Sequence, residues 1–273
     1  MTFSDLDRPP LDAAALTHAL VGPGTWWRDV QVSASTASTN ADLAALAADG
    51  APEGTLVTTD HQQAGRGRMG RPWTVPAQAA ISVSVLLRPD PVPADRWSWL
   101  PLLVGIAVAE TVQAAGVDAV LKWPNDVLVG DLKLSGILVE RVSTDVGPAA
   151  VVGVGLNVHQ RQDELPVPTA TSLALAGAVT TDRTVLLRSY ARTLEALYRA
   201  WAAAEGDPQV GLLDSYVRRC STLGQQVRVE RTGEEPLLGE AEAVDAGGRL
   251  VVRSEGVRHA LSAGDVVHVR RRA

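Results

Sequence analysis

Lys122-Trp123-Pro124-Asn125-Asp126-Val127-Leu128-Val129-Gly130-Asp131-Leu132-Lys133-Leu134-Ser135-Gly136-Ile137-Leu138-Val139-Glu140 reads as strand, turn, strand, turn, strand. It holds both lysines of a chain with 25 basic residues, the other 23 being arginine, and one of its three asparagines, Asn40, Asn125 and Asn157. A chain that uses arginine wherever positive charge suffices keeps lysine where a guanidinium will not serve, because the two groups differ in size, hydration and donor geometry. Lys122 and Lys133 therefore read as chemical residues, against the plainer alternative of a β-meander with two exposed lysines. Gly136, close before apolar strand residues, suggests a ligand approaching the backbone.

Val120-Leu121-Lys122 and Val127-Leu128-Val129 flank the turn, and Ser135 to Val142 and Ala150 to Val158 continue as strands. Upstream, Leu11 to Val21 predicts a short helix and Trp26 to Val32 a strand. Ser38-Thr39-Asn40 supplies caps for a helix over Ala41 to Ala48 that stops at Gly50. Thr55 to Thr59 is strand-like and runs into a Gly/Arg-rich loop, Asp60 to Pro76. Ala80 to Leu87 alternates, with Ala80, Ser82 and Ser84 forming a face small enough to admit a ligand. Asp95 to Ala115, Asp182 to Ala204 and Gln209 to Arg219 predict helices. After Cys220, five short runs separated by Gly-bearing turns (Gln226 to Glu230, Leu237 to Val244, Arg249 to Arg253, Arg258 to Leu261, Asp265 to Val269) suit a small five-stranded barrel. The expected boundary lies near 219–222, giving domains 1–220 and 221–273.

Two more segments carry chemical signals. Gly65-Arg66-Gly67-Arg68-Met69-Gly70 matches G-x-G-x-x-G after a strand, but Pro72 and Pro76 follow where a dinucleotide fold needs a helix. What remains is a loop presenting Arg66, Arg68 and Arg71, able to grip a carboxylate or phosphate, or simply a solvated turn. In Val151 to Asn157, Gly153, Gly155 and Asn157 share one strand face, which suits either a flat purine or a tight strand crossing.

The 273 residues, 46% apolar, carry a formal charge of −6, which leaves no broad cationic surface for sequence-independent nucleic-acid binding. One cysteine permits no intramolecular disulfide. The acidic N-terminus does not resemble a signal peptide, and the apolar run Trp99 to Ala109 falls short of the ~18 residues of a membrane span. A cytoplasmic protein without membrane attachment is expected. Phosphate-loop, serine-elbow and zincin motifs do not occur, and the five histidines are scattered.

Ser38-Thr39-Asn40, Gln62 to Trp73, Lys122 to Asp126 with Lys133 to Glu140, and Gly153 to Asn157 together resemble the biotin protein ligases. The resemblance implies an α/β (α+β) catalytic domain like that of class II aminoacyl-tRNA synthetases, followed by a small SH3-like barrel. It also implies two steps: biotin and MgATP form biotinyl-5′-AMP and pyrophosphate, and the biotinyl group then passes to a lysine of a biotin carboxyl carrier protein. Attack of a carboxylate on the α-phosphate joins two anions, so charge must be offset in a water-excluding site. Arg66, Arg68 and Lys133 are the catalytic candidates. Biotin would meet Ser38, Thr39, Asn40, Gln62, Arg66, Gly67, Arg68, Lys133 and Gly136, and ATP would meet Arg68, Trp73, Lys122, Asn125, Asp126 and Asn157. No direct magnesium ligand is assigned. Only 37 residues precede Ser38, so the winged-helix DNA-binding domain of bifunctional members is not expected. A lipoate-protein ligase, or a non-enzymatic nucleic-acid binder using the arginine loop and the tail Arg270-Arg271-Arg272, are the alternatives.

Overall fold

The computed structural model describes residues 8–231, 234–262 and 265–268. The acidic stretch Met1 to Asp7, Val269 and the basic tail Arg270-Arg271-Arg272 lie outside the described residues. The first part of the chain runs α1 (Ala13–Leu20), β1 (Asp29–Ser33), α2 (Thr39–Ala48), β2 (Thr55–Thr59), β3 (Gly65–Arg66), β4 (Pro72–Trp73), β5 (Ala80–Leu87), α3 (Leu100–Ala114), β6 (Val120–Lys122), β7 (Asp126–Val129), β8 (Leu132–Thr144) and β9 (Gly147–Asn157). Two helices, α4 (Arg183–Ala203) and α5 (Leu212–Arg219), lead to β10 (Gln226–Arg231), β11 (Glu234–Val244), β12 (Leu250–Ser254), β13 (Val257–Leu261) and β14 (Asp265–His268).

The larger sheet has seven strands in the order β1-β2-β5-β9-β8-β7-β6. Only β1 and β2 pair in parallel, and α2 is the crossover such a pair requires. Strand alternation sends the two faces to different partners. Leu43 and Ala47 of α2 cover Val57, Leu86 and Val151, whereas α3 and α4 share the main core with Leu56, Val83, Val85, Val152 and Val154. Gly153, Gly155 and Asn157 have the parity of Val151, so they open on the α2 side. Helix α4 buries Leu186, Leu187, Tyr190, Ala191, Leu194, Tyr198 and Trp201, a helical stripe three or four residues apart.

The apolar run near Trp99 extends further than its sequence suggests. A short 3₁₀ turn from Ala94 to Trp99 joins α3, and Ala94–Ala114 is long and apolar enough to cross a membrane by length and composition alone. Eleven of the fifteen residues of α3 are buried, and its apolar surface is used by the protein core. Helix α5 begins at Leu212 rather than Gln209 because Gly211, at φ +98°, turns the chain left-handed before it.

The five runs after Cys220 form one antiparallel sheet, ordered β13-β12-β11-β10-β14. Its Val227, Val229, Leu237, Ala241, Leu250 and Val252 belong to the main core together with Leu212 and Tyr216 of α5. The β11–β12 turn is also bound polarly. Trp99 Nε1 donates to Ala246 O at 2.8 Å, Ser98 Oγ to Gly247 O at 2.5 Å and Trp123 Nε1 to Gly248 O at 3.0 Å. Two buried indole donors are thereby satisfied by backbone carbonyls of the C-terminal sheet.

Cys220 is buried where α5 ends, and burial pushes its thiol above the ordinary range. The native protein should therefore resist alkylation by iodoacetamide at neutral pH and react only on unfolding. Mass spectrometry of the modified peptide, with and without denaturant, checks this.

Candidate active site

A cavity of about 570 Å³ opens on the α2 face of the larger sheet. Its back wall is the N-terminus of α2. Ser38 caps the helix and Ala41 N points to its Oγ at 3.5 Å. Thr39 N and Oγ1 both donate to Gln62 Oε1, at 2.9 and 3.0 Å, and Ser84 Oγ donates to Thr39 Oγ1 at 2.8 Å. Asn40 Nδ2 donates to Glu140 Oε2 at 2.6 Å, and Ser84 Oγ lies 2.6 Å from Asn40 Oδ1. The side chains of Thr39 and Asn40 are thus engaged within the protein. With its Oε1 held by Thr39, Gln62 has Nε2 as its donor toward a ligand.

The floor is formed by β8 and β9, where Gly136, Gly153 and Gly155 leave it without side chains. Gly136 pairs with Gly155, and Leu138 with Gly153. A Cβ on Gly155 would lie 2.5 Å from Trp73 Cζ2 and 2.7 Å from Nε1, so the indole rests on bare backbone. A Cβ on Gly153 would lie 2.9 Å from Asn40 Cγ. The small face of β5, expected to admit a ligand, does not line the cavity; Ser84 instead lies beneath the start of α2.

The arginine segment is more ordered than an open loop. β3 and β4 pair as a hairpin, Gly65 with Trp73 and Arg66 with Pro72, and Gly67 N donates to Arg71 O at 2.7 Å. Met69 and Gly70, at φ +57° and +71°, turn the chain at its tip. Arg66, Arg68 and Arg71 all line the cavity. Arg68 donates to Asn125 Oδ1 at 3.0 Å, while Asn125 Nδ2 donates to Ile137 O at 2.9 Å, tying the hairpin to β8.

Lys133 and Asp126 meet across the β7–β8 turn, Nζ to Oδ1 at 2.7 Å, with side chains 38% and 22% exposed. The backbone of Lys133 is gripped from outside the sheet, because its N donates to Thr169 O at 2.7 Å and Thr171 N donates to its O at 2.9 Å. Asn157 Nδ2 in turn donates to Thr171 O and Gln160 Nε2 to Asn157 Oδ1. Asn157 lines the cavity, but its amide secures the segment that holds Lys133.

Of the residues selected from sequence, Ser38, Thr39, Asn40, Gln62, Arg66, Gly67, Arg68, Trp73, Asn125, Asp126, Lys133, Gly136 and Asn157 line this one cavity. Lys122 does not. It lies on β6, the edge strand one position beyond β7, and its charge is felt at His268 of the C-terminal sheet. Burial lowers the His268 pKa first, and the Lys122 charge lowers it further. The third wall, Pro166, Val167 and Ala170, went unrecognised because that stretch has no motif of its own.

Among the described residues no group of three or more His, Cys, Asp or Glu side chains is placed to hold a metal ion. The cavity offers one carboxylate, Asp126. That donor set suits a magnesium ion held mainly by phosphates and water.

The Biotin/lipoate A/B protein ligase family model matches residues 32–157, and the Biotin protein ligase C terminal domain model matches residues 222–269. The chain is 44% identical to a biotin–[acetyl-CoA-carboxylase] ligase of Mycobacterium tuberculosis, over 99% of this chain and 100% of the relative. It is 36% identical to the Bacillus spizizenii bifunctional ligase/repressor BirA, over 80% of this chain and 67% of that protein. Among solved structures, biotin protein ligase from Aquifex aeolicus in complex with biotin and ATP superposes with a TM-score of 0.74 at 25% identity, covering 89% of this chain and all of the other. With the glycine-floored cavity, the arginine hairpin and the C-terminal sheet all inside these matches, the chain belongs to the biotin protein ligase family.

Proposed function

We infer that this chain is an ATP-dependent biotin protein ligase. It joins the carboxylate of biotin to the α-phosphate of ATP, releasing pyrophosphate. The ε-amine of one lysine on the carrier domain of an acetyl-CoA carboxylase then attacks the acyl carbon of biotinyl-5′-AMP. An amide forms as the acyl–phosphate bond breaks and AMP leaves, and the proton lost from the amine passes to solvent. The observation that carries this reading is the convergence of Arg66, Arg68, Arg71 and Lys133 on one cavity floored by Gly136, Gly153 and Gly155. Four cations in a recess suit a reaction that brings a carboxylate against a triphosphate.

In this reading, Gln62 Nε2 and Ser38 meet the ureido head of biotin. Thr39 acts through Gln62, and Asn40 forms the wall beside Gly153. Arg66, Gly67 and Gly136 border the carboxylate end. Arg68, held by Asn125, and Lys133, held by Asp126, balance charge as it moves from the carboxylate onto the phosphate. Trp73 and Asn157 border the adenylate. Magnesium would accompany ATP as its counter-ion and offset phosphate charge; Asp126, paired with Lys133, is the one carboxylate among the cavity residues. Lys122, expected beside the nucleotide, lies one strand outside the cavity and is given no ligand contact in this reading. The second unit begins near residue 221. The enzyme works in the cytoplasm, where ATP and a carboxylase are at hand and the buried Cys220 stays reduced. It does not bind operator DNA, because the chain carries a charge of −6 and α1 contains no lysine or arginine.

Biotin-dependent ATP–pyrophosphate exchange tests the reading. Exchange should require biotin, fail with lipoate and be indifferent to DNA, and labelled biotin should reach a carrier domain. Exchange driven equally by lipoate, or a sequence-specific footprint at physiological salt, would contradict it. The arginine hairpin gives a second readout. Its cations draw together on one anionic ligand, so biotin plus ATP should slow trypsin cleavage at Arg66 and Arg68 several-fold; equal rates with and without ligands would remove it as a closing element.

A further inference from the structure

Gln62, the arginine hairpin and Trp73 all sit on one excursion of the chain between Asp60 and Gln78. The excursion is closed at its base. Gln78 N donates to Asp60 O at 2.7 Å, and Asp60 N donates to Ser33 O at 3.0 Å, anchoring the closure to β1. Arg183, the first residue of α4, reaches both ends. Its Nη2 donates to Asp60 Oδ1 at 2.7 Å, and its Nη1 donates to Ala80 O, the first residue of β5, at 3.2 Å. Nη2 also donates to Pro9 O at 2.6 Å, and Leu11 N donates to Asp60 Oδ1 at 3.1 Å, so the segment before α1 straps the same junction. The ion pair is secluded, with side chains 2% and 9% exposed. Neither residue lines the cavity.

We propose that the buried Asp60–Arg183 pair is a positioning device for the reaction, fixing the span between the end of β2 and the start of β5 and thereby the placement of Gln62, Arg66, Arg68 and Trp73. The physical reason is leverage. The ligand groups lie on a segment with little regular structure beyond the two-residue strands β3 and β4, so their placement follows from where its ends are held. A fork with donors to a carboxylate and two carbonyls sets those ends in three directions at once. Removing one partner leaves a buried charge without its counter-ion, and the junction must open to water to relieve it.

The proposal rests on the ligase reading, and the wild-type enzyme tests that reading first, through biotin-dependent pyrophosphate exchange. Asp60→Asn and Arg183→Met then test the proposal, with Leu194→Ala, a fully buried position on the same helix, as a variant that loses stability without touching the junction. With rates expressed per titrated active site, both junction variants should raise KM for biotin about tenfold or more, since small misplacements of binding groups carry large penalties. Trypsin cleavage at Arg66 and Arg68 should accelerate in parallel, and Arg183→Lys, which keeps charge but loses the fork, should fall between. Leu194→Ala should lower Tm while its KM stays within about twofold of wild type. If the junction variants lower Tm but leave KM and hairpin cleavage as Leu194→Ala does, the pair is only structural and the proposal fails. If Asp60→Asn does not accumulate as folded protein, the KM of Arg183→Lys decides. If wild type shows no biotin-dependent exchange, the ligase reading is what has failed, and the trypsin comparison alone decides whether the pair holds the loop.

Discussion

Lys133→Arg should reduce biotinyl-5′-AMP synthesis by about 10²-fold while leaving Tm nearly unchanged, because it preserves charge but removes the position from which that charge acts. Lys133 Nζ stands 2.7 Å from Asp126 Oδ1. Its Cε and Nζ are each 3.3 Å from where a Cβ on Gly136 would be, so the ammonium lies directly over bare backbone. A guanidinium is planar, larger and a rigid fork. Above Gly136 it would either displace ligand volume or swing out over the rim. The backbone of Lys133 cannot shift to accommodate it, being bound on both sides to Thr169 and Thr171. Burst measurements of adenylate in the first turnover, beside thermal melts, separate chemistry from folding. Synthesis within a few-fold of wild type would show that only the charge matters and that the scarcity of lysine in this chain carries no chemical information.

Gly155→Ala should lower kcat/KM for both biotin and ATP by about 10- to 100-fold, or about 1.4–2.7 kcal/mol, within the roughly 1–3 kcal/mol that one methyl forced into a filled space costs. The new Cβ would fall 2.5 Å from Trp73 Cζ2. The neighbour in that direction is an aromatic ring, while Gly155 itself is held in the β8–β9 ladder by its pairing with Gly136. The ring must therefore lift off the floor, and it carries β4, and with it the paired hairpin, away from Asn125. Gly153→Ala differs in its readout, since its Cβ would meet Asn40 at the first turn of α2 and should reduce Tm before it reduces affinity. Steady-state kinetics at titrated active sites distinguish the two. Unchanged kinetics in Gly155→Ala would mean that Trp73 has slack the geometry does not suggest.

The sequence was most legible where the determinants are local. Thr55–Thr59 and Ala80–Leu87 are strands with the expected limits, and Ser38 caps α2 as its position before an alanine-rich run predicts. The five runs after Cys220 become five paired strands, because turn-forming glycines and alternation act over a few residues. Legibility declined when a signal was shared by two structures. Asp60 to Pro76 reads as a loop from its glycines and prolines, and its two-residue strands are too short to leave a period. Trp26 and Trp27 look like strand residues, yet they precede β1 and pack edge-to-face on one another at 4.8 Å.

Along the chain the residues set an inventory: which segments are strands and helices, where the cations and bare-backbone positions lie, and, through four ordered motifs, the family they resemble. Folding settles which of those groups meet. Thr39 and Asn40 hold Gln62 and Glu140, Asn157 supports the segment that grips Lys133, and Lys122 stands one strand outside the cavity. Arg183, with nothing in its surroundings to mark it, lies 123 residues from the aspartate it binds. Such pairings depend on the strand order β2-β5-β9-β8-β7 and on which helix covers which face. Periodicity and capping are set by neighbours a few residues away, whereas contacts across that sheet are set by how the whole apolar surface is buried at once.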